Sequence, residues 1–187
     1  MNLDAKTTAL VLIDLQKGII GRPLAPRPGS QVVGTARAVA DRFRAAKAPV
    51  FLVHVKWAKD MSDMPSRNVD EAMPMPDGGL PEDWSDYADG LEQPGDIRIV
   101  KRQWGAFTGT ALDTLLRRRG IRTIVLGGVS TNFGVESTAR FAWELGYDVV
   151  IVEDACASAK AELHDMAITA ILPRLSRIVQ SGDLNLA

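Results

Sequence analysis

The sequence predicts an α/β protein built on a parallel sheet with helices on both faces. Three observations carry this expectation. Short apolar runs without polar alternation recur along the chain, as in TALVLI and VFLVHV, which suits strands covered on both sides. Stretches with helical spacing of apolar residues lie between them, so strand and helix alternate. Two of those stretches end at a glycine, Gly120 and Gly146, just before the next apolar run begins.

Taken in order, Thr8 to Ile13 reads as the first strand and ends at Asp14. Gly21 to Pro28 (GRPLAPRP) is a loop rich in proline and glycine. Ser30 can cap a helix from Gln31 to Ala46, in which Val32, Val33, Ala36, Val39, Ala40 and Phe43 keep helical spacing. Pro49 opens the second strand, Val50 to Val55. From Trp57 to Gly95 the pattern fails, with five prolines (Pro65, Pro74, Pro76, Pro81 and Pro94) and four methionines (Met61, Met64, Met73 and Met75). Such a long stretch is expected to hold short helices and to serve as a lid or an oligomer contact.

Order resumes with a strand over Ile97 to Val100, ending at Lys101. A helix over Thr108 to Arg119 follows, its apolar face formed by Leu112, Leu115 and Leu116. Ile121 to Leu126 is the fourth strand, Gly127-Gly128 reads as a tight turn, and a helix runs over Asn132 to Leu145. Tyr147 to Val152 is the fifth strand, with a loop over Glu153 to Ser158. A helix over Ala161 to Leu172, broken by Pro173, leads to a last strand over Ser176 to Val179.

Composition narrows the function classes. The 187 residues suit one domain, 1–187, with a sizeable core. A net charge of −1 and a pI near 6.1 give no electrostatic case for nucleic acid or for an anionic membrane surface. No apolar run approaches the roughly 20 residues that span a bilayer. MNLDAKTTALVLIDLQ reads as a first strand and not as a signal peptide, so a cytoplasmic location is expected. The single cysteine, Cys156, excludes an intramolecular disulfide and a cysteine-rich zinc site.

In open parallel sheets, ligands bind beyond the carboxyl ends of the strands, where strand order reverses. Asp14, Lys101, the Gly127 to Gly134 segment and Asp154 all fall at strand ends. An Asp beside a Lys can act as a proton-transfer pair, and N–H groups where a strand feeds a helix can hold an oxyanion. Each feature also has an ordinary reading. A strand-end Asp can be a cap or turn former, a Lys beside Arg102 a solvated charge, and GGVS a plain turn. Trp104 and Phe107 can line a pocket for a flat substrate or pack the core, and Glu136 and Arg140 can pair across one helical turn.

Three separated blocks, ALVLIDLQKG, KRQWGAFTGTALDTLL and GGVSTNFGVESTARFAWELGYDVVIVEDACAS, resemble the signatures of the isochorismatase-like hydrolases, or cysteine hydrolase superfamily. The resemblance implies a three-layer α/β/α, Rossmann-like fold with a six-stranded, mainly parallel sheet, and a homodimer or homotetramer. Family amidases such as nicotinamidase and N-carbamoylsarcosine amidase use an Asp–Lys–Cys triad. The Asp matches Asp14 and the Lys matches Lys101, while the Cys falls at Gly134. The resemblance also implies an oxyanion hole from the Ser130 and Gly134 N–H groups and a cis peptide between Val129 and Ser130. Trp104, Val129, Asn132 and His54 are the expected substrate-binding residues.

Glycine cannot form a covalent intermediate through its side chain. The true isochorismatases are similar in having Gly at this position and use the matching Asp as a general acid. They differ in having a tyrosine where Ser130 stands, and an alanine and a glutamine at His54 and Val55. Cys156 is expected to be a buried small residue. The Asp–His–His metal site of nicotinamidases has no counterpart in VHVKWAKD, where His54 stands alone, so neither a metal nor another cofactor is expected. His164 is expected to be a locally bonded helix residue. Two readings stand at this point. One is a hydrolase of a small cyclic or planar metabolite, acting through Asp14 and Lys101 without a covalent cysteine. The other is a catalytically inactive relative that binds a metabolite or serves assembly. A nicotinamidase-type amidase is a third option, and it lacks its nucleophile.

Overall fold

Six parallel strands form the central sheet in the order β4-β3-β2-β5-β6-β7 in the computed structural model, which describes all 187 residues. These strands are β2 (Thr8–Ile13), β3 (Val50–Val55), β4 (Ile97–Lys101), β5 (Thr123–Val129), β6 (Asp148–Ala157) and β7 (Arg177–Val179). A separate two-stranded parallel ribbon joins β1 (Asn2–Leu3) to β8 (Asn185–Leu186). The chain builds outward from β2 through β3 to β4, then returns to the other side of β2 with β5, β6 and β7. Strand order therefore reverses between β2 and β5, and Ile13 lies opposite Gly128 at that seam.

The helices are α1 (Lys17–Ile20), α2 (Gly29–Ala45), α3 (Leu112–Arg118), α4 (Glu136–Glu144) and α5 (Ala161–Met166). Alternation along each strand sorts the core into two halves. Leu10, Leu12 and Leu52 face α2 through Val32, Ala36, Val39, Ala40 and Phe43. Ala9, Val11, Ile13, Phe51 and Val53 face the other way, against Leu112 and Leu116 of α3 and Ala139 and Ala142 of α4.

Several boundaries differ from expectation. Helix α2 begins at Gly29 with Pro28 at its N-cap, so Ser30 lies inside the first turn and caps nothing. Gly109 has φ +68, a conformation outside the helical region, and α3 accordingly starts only at Leu112. No helix or strand forms between Trp57 and Gly95; that stretch is a succession of turns. Its second half packs nonetheless, burying Trp84, Ser85, Ala88 and Leu91.

The largest difference concerns the glycine pair. Gly127 and Gly128 do not turn the chain but continue β5 as far as Val129. Gly128 has φ +129, and a Cβ there would lie 2.1 Å from the carbonyl oxygen of Ile13. The glycine is needed because β5 closely approaches the backbone of Ile13 in β2 there, while on the other side of β5 the strand β6 skips residues in register. The skipped residues include Glu153 and Asp154, so β6 runs on past them to Ala157. Asp154 therefore does not end a strand. Its carboxylate accepts from the N–H (2.7 Å) and Oγ (2.6 Å) of Ser181, tying down the C-terminal segment.

Gly128→Ala forces both the clash and the unfavourable φ. It is expected to lose at least about 3 kcal/mol of stability, at the upper end for single substitutions. Urea unfolding of the variant beside the parent protein measures this.

Candidate active site

Asp14 follows the last residue of β2 and leaves the strand direction with φ +53, a left-handed conformation that Asp adopts more readily than most residues. Lys101 is the last residue of β4 and lies opposite Val55 in register. Both side chains are buried, and Lys101 Nζ lies 2.7 Å from Asp14 Oδ2. Lys101 is thus no solvated surface charge. Its Nζ also donates to the Trp104 carbonyl at 2.5 Å. Asp14 Oδ1 is buried and has no hydrogen-bond partner within the chain.

Burial pushes the Asp14 carboxyl upward, and the adjacent Lys101 charge pulls it back only in part, leaving a pKa of about 6. At neutral pH the group keeps a fraction of its protons while held against an ammonium.

The third component arrives from β5. Val129 ends that strand, the Val129–Ser130 peptide is cis, and Ser130 opens a single π turn over Thr131–Val135 that runs into α4. The Ser130 carbonyl accepts from the N–H groups of Phe133 (3.1 Å) and Val135 (3.2 Å), closing the turn. Gly134 then lies directly over the ion pair. A Cβ built there would be 2.9 Å from Ile13 Cγ2, 3.2 Å from Asp14 Oδ2 and 3.3 Å from Lys101 Nζ. The topology thus brings Asp14, Lys101 and Gly134 to one point, beside the seam where strand order reverses.

The other candidates divide. Trp104 is 62% exposed, and its ring lies 4.6 Å from that of Phe133. Two aromatic side chains therefore stand at the surface beside Lys101 and Gly134. Phe107 is buried in the core. Asn132 is half-buried, with Oδ1 accepting from Ser158 Oγ at 2.8 Å. Val129 is buried among Leu15, Val32 and Ala157, so its side chain faces the core and cannot touch a substrate. His54 is tied to the Trp57 to Gly95 stretch: Nδ1–H donates to the Ser85 carbonyl at 2.6 Å and the ring stacks on Tyr87 at 4.7 Å. Burial lowers its pKa, which favours the neutral ring.

His164 departs most from expectation. It is buried and bonded far from its own helix, with Nδ1 2.8 Å from Thr131 Oγ1 and Nε2 2.8 Å from Glu153 Oε1. Glu153 also receives Arg27 Nη2 at 2.6 Å. No motif or periodic spacing marks these four residues as a set.

The model of the Isochorismatase domain matches residues 8–183. The chain belongs to the isochorismatase family of hydrolases. Among relatives of this family member is an uncharacterized isochorismatase family protein, YecD, of Escherichia coli O157:H7. It is 52% identical over 179 residues, spanning 95% of this chain and 94% of that protein. A ureidoacrylate amidohydrolase, RutB, of Rhizobium rhizogenes is 32% identical over 180 residues, spanning 83% and 72% of the two chains. Among solved structures, an isochorismatase family protein from Burkholderia thailandensis superposes with a TM-score of 0.89 at 44% identity, covering 96% of this chain and 94% of the other.

Cys156 does not reach the Asp14–Lys101 pair. It is fully buried in β6 opposite Gly128, and its Sγ–H donates to the Val152 carbonyl at 3.3 Å. Burial pushes the thiol up to about 12, so almost no thiolate forms at neutral pH. The native protein is expected to show no reaction with a thiol reagent at pH 8 and one equivalent of reaction after unfolding in urea. Rapid labelling of the native state would contradict this assignment.

Proposed function

We propose that this isochorismatase-family hydrolase acts on a small cyclic or planar metabolite without a covalent cysteine intermediate. The observation that carries the reading is Gly134. It leaves no side chain over the Asp14–Lys101 pair, where a Cβ would sit 3.2 Å from Asp14 Oδ2, and the resemblance of TNFGVE to the family amidases supports reading this as their nucleophile position. An ion pair withdrawn from water is unfavourable unless its partners hold each other closely, and removing one partner commonly costs about 3–5 kcal/mol. Here the pair has a chemical use that requires no thiol.

In the proposed reaction Asp14 is the general acid. Lys101 stays on Oδ2, and the unpartnered Oδ1 carries the proton. That proton passes to the substrate, and the electron pair of the breaking bond goes to the leaving group. A water oxygen then adds to the activated carbon, and its surplus proton returns to the Asp14 carboxylate. The N–H groups of Ser130 and Gly134 bind the leaving-group oxygen, on which negative charge gathers as the bond stretches ahead of full proton transfer. Trp104 and Phe133 offer flat faces suited to a planar ring.

The pH dependence follows from the Asp14 carboxyl near 6. A general acid must be protonated in the free enzyme, so kcat/KM should be level at low pH and fall about tenfold per unit at higher pH. The break should lie near pH 6. A group acting as base would give the opposite limb. On a panel of vinyl ethers, cyclic amides and carbamoyl compounds, Asp14→Asn should abolish turnover while Cys156→Ser leaves it intact. An active Asp14→Asn enzyme, or a rate rising through pH 6, would sink this mechanism.

Gly134→Cys places a thiol against the pair, at a site where Ile13 must shift and Asp14 and Lys101 must each give way by a few tenths of an ångström. The variant should lose about 1–3 kcal/mol of stability from crowding. It should also gain an amidase activity that proceeds through an acyl-enzyme, detectable as a mass adduct. If it cleaves amides and the parent turns over no panel compound at all, the parent protein is a binding relative and not an enzyme.

A further inference from the structure

Four side chains outside the Asp14–Lys101 pair form a continuous, largely buried chain that ends on the π turn. Arg27, in the GRPLAPRP loop, donates from Nη1 to the carbonyls of Glu153 (2.9 Å) and Cys156 (2.5 Å), and from Nη2 to Glu153 Oε1. Glu153 Oε2 accepts from Gln180 Nε2 at 3.0 Å. Burial alone would raise the Glu153 carboxyl, but the hydrogen bonds from Arg27, Gln180 and His164 outweigh it and hold the group below its usual range. An ionised carboxylate only accepts hydrogen bonds, so the ring nitrogen facing it, His164 Nε2, carries the proton. In the neutral ring Nδ1 is then an acceptor, and the hydroxyl of Thr131 donates to it.

Thr131 is fully buried and is the first residue of the turn between Ser130 and Gly134. A buried hydroxyl without a partner is unfavourable, so this bond fixes the Thr131 rotamer and the backbone that carries it. The turn is gripped twice more. Ser158 Oγ holds Asn132, and Ser158 is itself paired with Ala25 of the GRPLAPRP loop. Thr138 Oγ1 donates to the Gly134 carbonyl at 2.6 Å and accepts from the Ala106 N–H at 3.1 Å.

We propose that His164 is a positioning residue for the reaction: it transmits the anchorage of Arg27 and Glu153 to Thr131 and so sets the direction of the Ser130 and Gly134 N–H groups. The proposal rests on the reading that this turn holds the charged oxygen of the substrate. His164 touches no substrate. It acts through Thr131, by removing the freedom of the turn before the substrate arrives, which is where preorganised donors gain their advantage over water.

Two isosteric pairs of variants separate this role from general packing. Thr131→Val removes the hydroxyl and keeps the shape, whereas Thr131→Ser keeps the hydroxyl. His164→Gln keeps a donor toward Glu153, and His164→Asn keeps an acceptor toward Thr131. Amide hydrogen exchange over residues 130–135, read by NMR, and kcat and KM on the best-turned-over compound of the panel are the two readouts. Thr131→Val and His164→Gln should speed exchange at Ser130 and Gly134 while leaving the sheet amides unchanged. Both should lower kcat by about tenfold with KM within about twofold, short of the ~10²–10³ lost when an oxyanion donor itself is removed. Thr131→Ser should restore both readouts, with His164→Asn closer to the parent than His164→Gln.

Unchanged exchange in the turn of Thr131→Val would overturn the proposal, as would faster exchange with kcat intact. If no panel compound is turned over by the parent, the proposed reaction fails while the exchange arm still decides whether His164 orders the turn.

Discussion

The buried contact between Asp14 and Lys101 is the constraint around which the rest of this structure is arranged. Two opposite charges with side chains 8% and 1% exposed sit 2.7 Å apart at the ends of β2 and β4. Neither charge would be tolerated there alone, because desolvation of an isolated ion outweighs ordinary packing gains. The pair needs a sheet that places one strand's end within reach of another two positions away. The parallel register does this by setting Val55 of the intervening β3 opposite Lys101. The stretch around Trp84 to Ala88 bonds to the residues just past Asp14 and so fixes the chain where it leaves β2. Gln16 Nε2 donates to the Trp84 carbonyl, and the Ala88 N–H donates to the carbonyl of Leu15.

The same seam explains the glycines. Gly128 lets β5 come close to Ile13, and Gly134 leaves the space over the pair without a side chain. At Gly128 the limiting quantity is the distance of one Cβ, and in neither place does the glycine reverse the chain. The strand-to-helix junction thus passes directly over the ion pair.

Much of this is readable in the residues because strand ends are where parallel sheets put their chemistry: Asp14 follows the apolar run TALVLI, and Lys101 closes the short β-rich run IRIV. The two departures at the β5–β6 seam have local causes. A glycine pair ordinarily marks a turn, so Gly127-Gly128 looked like one, whereas close approach between strands leaves no separate sequence signature. Glu153-Asp154 looked like a loop because a strand that skips residues in register interrupts the apolar run just as a loop does. The bonds of His164 were invisible for a different reason. Its partners, Thr131, Glu153 and through Glu153 the distant Arg27, come together only when the sheet has closed, and no periodicity links their positions.

What the pair can do depends on what faces it. A carboxylate that activates a thiol must be ionised to take the proton, which favours a carboxyl kept low. Here burial leaves the carboxyl near 6, and no side chain of residue 134 shares the space above it. With Lys101 on Oδ2, the remaining oxygen has no partner in the chain. A carboxyl with that pKa can give or take a proton near neutrality, since catalytic efficiency is greatest when the pKa lies close to the working pH, and the proposed reaction assigns it the giving role because no thiol stands above it. In the proposed reaction the missing side chain is therefore not a lesion in a thiol mechanism but the condition for a different one. The space that a thiol would fill lies next to the acid, under a turn anchored through Thr131, Asn132 and the Gly134 carbonyl.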